Sequence, residues 1–290
     1  MRSACRSNKT IAFTPEGRAV RLKIAHLTRY DFAEPAQYGL QQIRLTPKTR
    51  RGQSIENWSV TFEGARQQVQ FVDEFNNQTL LIGLEEGAEF LSIRAEGTVL
   101  TDDQSGIVGQ HGGWTPLWIY RRKTPLTAPG EAIRQISQRV GSAFNDEVSR
   151  LHALMMTVAE LVRYETGTTG VATTAEEAAA AGSGVCQDHT HIFISCARLL
   201  GFPARYVSGY LMMDDRVQQD ASHAWAEAYA EGLGWVGFDV SNAISPDTRY
   251  VAVATGLDYT DAAPVSGLSF GNAQQGLEVS VQVQQQQQQQ

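Results

Sequence analysis

Cysteine is scarce in this 290-residue chain: Cys5, Cys186 and Cys196 are all it has. Three thiols cannot build a disulfide framework. Cys186 and Cys196 fall in one predicted helix, where ten residues at a rise of ~1.5 Å set them ~15 Å apart. A disulfide needs Cα atoms within ~7 Å, so this pair is excluded and each thiol is judged singly. A low, odd count suits a reducing compartment. Long apolar runs are also missing. The best candidate, 151–162, is interrupted by His152, Thr157 and Glu160, which excludes a spanning helix. Residues 1–20 lack the apolar segment of a secretory signal, so the cytoplasm is the expected location. Paired Cys or His ligands at zinc spacing are absent, and no metal or cofactor is expected. His189 and His191 cannot supply one, because two residues apart on a helix turns them ~200° away from each other.

What is present is globular. Hydrophobic residues make up 42% and 26 residues are Gly, enough for a substantial core. The net charge is −7, yet residues 1–58 hold 11 basic and 4 acidic side chains. Nucleic-acid binding would call for a basic stripe on one face. Here the excess is scattered through strand-like sequence, and no nucleic-acid or membrane partner is expected. The strip Arg44, Lys48, Arg50 and Arg51 reads as a solvated face, with an acidic partner as the weaker alternative.

Residues 1–20 show no period and read as a disordered extension. From Arg21 onward, segments near 21–32, 38–46, 55–63, 67–73, 78–84 and 89–100 are rich in β-branched, aromatic and aliphatic residues. Turn-forming stretches separate them, which predicts an antiparallel sandwich-like domain over 21–102. Residues 102–116, with Gly106, Gly109, Gly112 and Gly113, read as a linker. The second domain, 116–283, opens on helical periods at 129–144 and 146–163. Thr174 with Glu177 forms a capping box for a short Ala-rich helix ending at Gly182 and Gly184. A further helix runs from Cys186 to Leu200, and strands follow at 204–213, 223–230 and 235–241. Residues 284–290 are all Gln and read as a disordered tail. The fold class is α+β.

The informative window is Gly184-Val185-Cys186-Gln187-Asp188. A cysteine in the first turn of a helix meets unpaired N–H groups and the positive end of the dipole, which favour a thiolate and supply oxyanion donors. Such a nucleophile needs a base. In Ala221-Ser222-His223-Ala224-Trp225 a strand begins, with His223, Trp225, Glu227 and Tyr229 on one face and alanines on the other. A hairpin turn near Gly232 sets Asp239 opposite residues 223–226, one strand spacing (~4.8 Å) away. The carboxylate is then placed to fix the tautomer of the imidazole. Cys196 reads as a buried hydrophobe and Cys5 as a bystander. Trp225 and Trp235 read as hairpin core. His26, His111 and His152 read as structural or solvated. Tyr164 and Gln187 are minor candidates for a second oxyanion donor.

These windows, with Pro203-Ala204-Arg205-Tyr206-Val207-Ser208-Gly209-Tyr210 and Trp235-Val236-Gly237-Phe238-Asp239, resemble the transglutaminase-like core, a papain-like cysteine enzyme fold. The first half resembles the N-terminal domain of bacterial members through His26-Leu27-Thr28-Arg29-Tyr30, Ile43-Arg44-Leu45-Thr46-Pro47 and Asp73-Glu74-Phe75-Asn76-Asn77. Asp258-Tyr259-Thr260-Asp261 with Pro264 resembles the family's C-terminal segment. The resemblance implies Cys186 as nucleophile, His223 as base and Asp239 as orienting acid. The chain departs from the family pattern at His189-Thr190-His191, at Val240-Ser241-Asn242 and at Leu257. Related chains begin near Arg21, which makes Val20 an expected alternative start. The implied chemistry is acyl transfer through a Cys thioester from a peptide or carboxamide, in a peptide or protein substrate. Water as acceptor gives a hydrolase, the leading expectation. An amine co-substrate gives a transglutaminase, and a catalytically idle scaffold is the remaining alternative.

Overall fold

A computed structural model describes residues 19–219, 221–270 and 274–286. The expected extension thus lies outside the described residues except for Ala19 and Val20, and the Gln tail likewise beyond Gln286. The first half is strand throughout: β1 (Val20–Phe32), β2 (Tyr38–Thr46), β3 (Gln53–Glu63), β4 (Ala65–Val72), β5 (Gln78–Leu84) and β6 (Phe90–Thr101). Alternation drives this. Along β1, Leu22, Ile24, His26 and Thr28 are buried while their neighbours are not, the period-two signature of a one-sided strand.

The second half contains β7 (Ile107–Gly109), a 3₁₀ turn at Leu117–Arg121, α1 (Glu131–Val140), α2 (Glu147–Leu161), β8 (Arg163–Tyr164), α3 (Ala175–Ala181) and β9 (Ser183–Gly184). The chain continues through α4 (Cys186–Leu199), β10 (Ala204–Leu211), β11 (Gln218–Gln219), β12 (His223–Ala230), β13 (Gly234–Phe238) and β14 (Tyr250–Gly256). It closes with α5 (Tyr259–Ala262), β15 (Val265–Phe270) and β16 (Gln274–Gln285). None of the described helices is long and apolar enough to cross a membrane.

Three antiparallel sheets result, in the orders β11-β16-β1-β6-β3, β15-β2-β5-β4 and β14-β10-β12-β13-β7. The first two enclose a core of Ile43, Leu45, Ile82, Leu91 and Ile93. The other end of β1 turns Leu22 and Ile24 onto Tyr210, Val251 and Val253 of the third sheet. The architecture is α+β, as expected.

Three sequence-based boundaries change. The presumed linker supplies β7, which pairs with β13 at the edge of the third sheet. The C-terminal strands do not stay with the second half: β15 pairs with β2 and β16 with β1. Gln284 and Gln285, expected in a disordered tail, pair with Lys23 and Leu22. A ladder is bonded through backbone groups, and Val281 and Val283 set its register, so the strand carries on into Gln.

The basic strip is not a free face either. Arg44 meets Asp73 at 3.1 Å, Lys48 donates to the carbonyls of Phe75 and Asn76, Arg50 pairs with Glu227 and Arg51 bonds Gln104. Arg44 and Arg50 are thus paired with carboxylates of the same chain, whereas Arg51 stays exposed.

Candidate active site

The start of α4 is held from three sides. α3 ends on Gly182 in the left-handed region, φ +68°, a C-terminal stop that favours glycine. The chain then pairs β9 with β8 in parallel, Tyr164 opposite Gly184. Asp188 reaches back and accepts from the Val185 N–H at 2.8 Å and the Thr169 hydroxyl at 2.6 Å. Gly184 is required by this turn, because a Cβ there would lie 2.7 Å from the Asp188 side chain. Cys186 therefore occupies the first helical position, half-buried.

Helix α4 packs over β12. Alanines 224, 226 and 228 face it and join its core cluster, and their small size permits close approach. The opposite face of β12 carries Trp225, 1% exposed, stacked against His223 at a centroid distance of 6.2 Å. Trp235 is equally buried, packed with Phe75 and Tyr120. Both tryptophans are core residues, as the sequence suggested.

His223 donates from Nε2 to Asp239 Oδ2 at 2.6 Å. This occupies one ring nitrogen and leaves Nδ1 as the other. Burial disfavours the charged imidazole, but hydrogen bonds and charge from Asp239 and Cys186 outweigh it and raise its pKa to about 10. Asp239 is wholly buried. Its Oδ2 also accepts from Asn242 Nδ2 and the Tyr250 hydroxyl, each at 2.7 Å. Burial pushes this carboxyl up, yet these donors, His223 foremost, hold it below its ordinary value. Paired backbone bonds between Asp239 and Ile244 close the loop that carries it. His223 is thus bonded to Asp239 and influenced by Cys186, which groups the three side chains in one part of the molecule.

The remaining candidates separate. Gln187 donates to the Val171 carbonyl at 3.0 Å, which commits its amide elsewhere. Tyr164 is half exposed, its ring edge-on to His189 at 6.0 Å. His189 bonds Ser241 at 3.0 Å, and His191 accepts from the Tyr259 N–H at 3.1 Å. They serve different partners, and no metal-holding cluster occurs among the described residues. Cys196 is buried at the carbonyl of Ile133, and burial pushes its thiol up to about 12. A cavity of about 790 Å³ opens at the opposite end of α4, between Trp118, Phe144, Arg150 and Phe202, away from the cluster. Asn242 and Tyr250 escaped the sequence reading as partners of Asp239. Asn242 carried a signal, since an Asn three residues after an Asp suits a tight turn; Tyr250 carried none.

A cysteine at a helix start, packed over an antiparallel sheet bearing histidine and aspartate, is the arrangement of the papain-like cysteine-enzyme fold. Comparison narrows this. Residues 134–240 match the model of the transglutaminase-like superfamily, and 22–100 that of the bacterial transglutaminase-like N-terminal region. The chain belongs to the bacterial transglutaminase-like family. An uncharacterised protein of Mycobacterium leprae (strain TN) is 28% identical over 278 residues, 91% of this chain and 98% of that protein. An uncharacterised protein of Mycobacterium tuberculosis (strain ATCC 25618 / H37Rv) is 38% identical over 131 residues, 41% of this chain and 42% of that one. Among solved structures, a candidate cysteine protease of Cytophaga hutchinsonii superposes with a TM-score of 0.74 at 20% identity, covering 94% of this chain and 92% of that one. That likeness is one of fold.

Proposed function

We propose that the protein is a thiol acyl-transfer enzyme that cleaves a peptide or carboxamide bond through a Cys186 thioester, with water as acceptor. The observation that carries this is the placement of His223: Nε2 is held by Asp239 at 2.6 Å, and hydrogen bonding and charge from Asp239 and Cys186 raise its pKa to about 10, which favours the imidazolium. An imidazolium next to a cysteine is the setting in which sulfur attacks as thiolate. Sulfur adds to the carbonyl carbon, and the Cys186 backbone N–H, free of an intrahelical acceptor at this position, stabilises the oxyanion. His223 passes its proton to the departing amine or ammonia, and the thioester forms. His223 then takes a proton from water, which attacks the thioester and frees the acid and the Cys186 thiolate, restoring the starting ion pair. Asp239 keeps the ring oriented and offsets its charge in both halves.

Water needs no dedicated second site, which supports hydrolysis. Family membership supports amine transfer as the competing outcome, because the two reactions share every step up to the thioester. The substrate in this reading is a peptide or protein, met in a reducing compartment such as the cytoplasm, where the thiol stays free. A peptide library incubated with the protein, with and without a primary amine, and read by mass spectrometry tests it. Cleavage or deamidation that needs no amine, and is lost in Cys186→Ala, is expected. Products formed only with amine would reassign the acceptor, and an unchanged library would refute the reading.

A further inference from the structure

Three elements supply the site: α4 carries Cys186, β12 carries His223, and the loop after β13 carries Asp239. The loop's own bonds fix its shape. Asp239 and Ile244 exchange backbone bonds at 2.9 and 3.2 Å, the Ala243 N–H bonds the Val240 carbonyl at 3.2 Å, and Asn242 closes onto the Asp239 carboxylate. None of these bonds reaches α4. Val240 packs into the core beneath the helix, but apolar contact is non-directional and tolerates small shifts. Among the described residues, one hydrogen bond joins the 239–244 loop to α4: His189 Nδ1 with the Ser241 hydroxyl at 3.0 Å. His189 lies three residues after Cys186, on the same side of the helix, and Ser241 lies two residues after Asp239. Both ends fall in stretches where the chain departs from the family pattern, 189–191 and 240–242. His189 is 2% exposed. Burial lowers its pKa, against the opposing charges of Asp188 on its own helix and Asp239 in the loop, so the bond joins two neutral groups.

Resting on the thioester reading, we infer that His189 is a positioning residue: its bond to Ser241 latches the loop that carries Asp239 onto the helix turn that carries Cys186, and so holds the carboxylate where it supports the His223 imidazolium. The 2.6 Å bond from His223 to Asp239 orients the ring only as well as the carboxylate is itself placed. The latch refers that carboxylate to the same helix turn as the sulfur, by a path that bypasses His223. No proton moves at His189.

The titration of His223, followed by NMR of its Cε1–H signal in the full chain, tests this without a substrate. Asp239 and Cys186 raise the His223 pKa to about 10 in the intact site. Ser241→Ala and His189→Phe each delete the latch and remove no charge at the pH where His223 titrates. Each is expected to lower the His223 pKa by about half to one pH unit, the roughly three- to tenfold that one net hydrogen bond allows. The double variant should go no further than either single one, because both remove the same bond. Ser241→Thr keeps the hydroxyl and should titrate as the wild type does. Ser241→Ala deletes only a half-buried hydroxyl, so it supplies the readout even where the ring substitution unfolds the core. A lower melting temperature with an unmoved His223 titration would overturn the inference and leave the bond a stabiliser of the loop alone. Additive shifts in the double variant, or a Ser241→Thr chain that shifts like Ser241→Ala, would overturn it as well. A wild-type His223 that titrates at about 6.5, the ordinary value, would refute the imidazolium on which the thioester reading rests, and the latch with it.

Discussion

Three donors converge on one oxygen of Asp239: the His223 ring, the Asn242 amide and the Tyr250 hydroxyl. Asp239→Asn keeps the shape but loses the charge that balances an imidazolium. Turnover is expected to fall by roughly 10³- to 10⁴-fold, with the circular-dichroism spectrum unchanged. A loss under tenfold would assign the orienting role to another group. The cysteines provide a second test. Cys186 is half-buried beside the imidazole, whereas Cys196 is sealed in the core and pushed up to about 12. Iodoacetamide followed by peptide mapping should modify Cys186 in the folded protein and Cys196 only after denaturation. Equal labelling of both would contradict the assignment of the nucleophile. The cluster was legible in the sequence because each role demands an element: a thiol at a helix start, a base and a carboxylate on one hairpin. The supporting donors were not, because they arise where the 239–244 loop closes and where β14 reaches the same carboxylate, and neither is encoded near residue 239.

Elements were legible in proportion to their length and period. The long alternating strands and the Thr174–Glu177 capping box stand where the sequence put them. The two-residue strands β8, β9 and β11 carry no period, and they exist only because partners bring them together. Glycine content also had meanings that only the packed elements show. Gly209 of β10 sits opposite His223. A Cβ there would lie 2.1 Å from the Val251 carbonyl and 2.7 Å from the Trp225 ring, both fixed parts of the sheet. Gly209→Ala must therefore part β10 from β14 or dislodge the indole that supports His223. A destabilisation of at least about 2 kcal/mol is expected, as for other overpacked cores, together with slower alkylation of Cys186. Thermal melts and labelling rates report both. An unchanged melting temperature would show that the sheet accommodates the methyl group.

At the scale of the whole molecule, polar side chains join the two halves. β14 is an outer strand of its sheet, and two amides bond its strand-free edge as a neighbouring strand would. Gln53 donates to and accepts from Ala252, both at 2.8 Å, and Asn77 does the same with Thr255 at 2.8 and 2.9 Å. Beside them Glu227, wholly buried, is bound by Arg50 from the first half and Arg205 from the second. Burial opposes its charge, but the two guanidinium groups prevail and lower its pKa to about 2. His26 of β1 spans the same junction, bonded to the Tyr210 hydroxyl at 2.9 Å, and burial lowers its pKa to about 4. This seam was not legible in the sequence, since its partners lie about 180 residues apart, as His26 and Tyr210 do. Its pH response follows from the signs. His26 is neutral in the fold, but the unfolded chain takes up its proton near pH 6.5, so stability falls as pH drops from about 6.5 to about 4 and levels off below. The slope approaches about 1.4 kcal/mol per pH unit for each such proton. His191, buried and lowered to about 4 mainly by desolvation, adds to it. Glu227 stabilises above its unfolded value near 4.5, and that contribution disappears as pH falls through about 2. His223 acts oppositely: its stabilisation is complete below pH 6.5 and is lost as pH rises through about 10. Melting temperature should therefore drop between pH 6.5 and 4, ahead of most of the loss of the Glu227 contribution. In His26→Gln, which keeps a polar side chain at Tyr210 but binds no proton, that drop should be shallower by up to one proton's worth. An identical slope in the variant would mean that the seam does not feel the charge on His26, and that acid acts on the fold elsewhere.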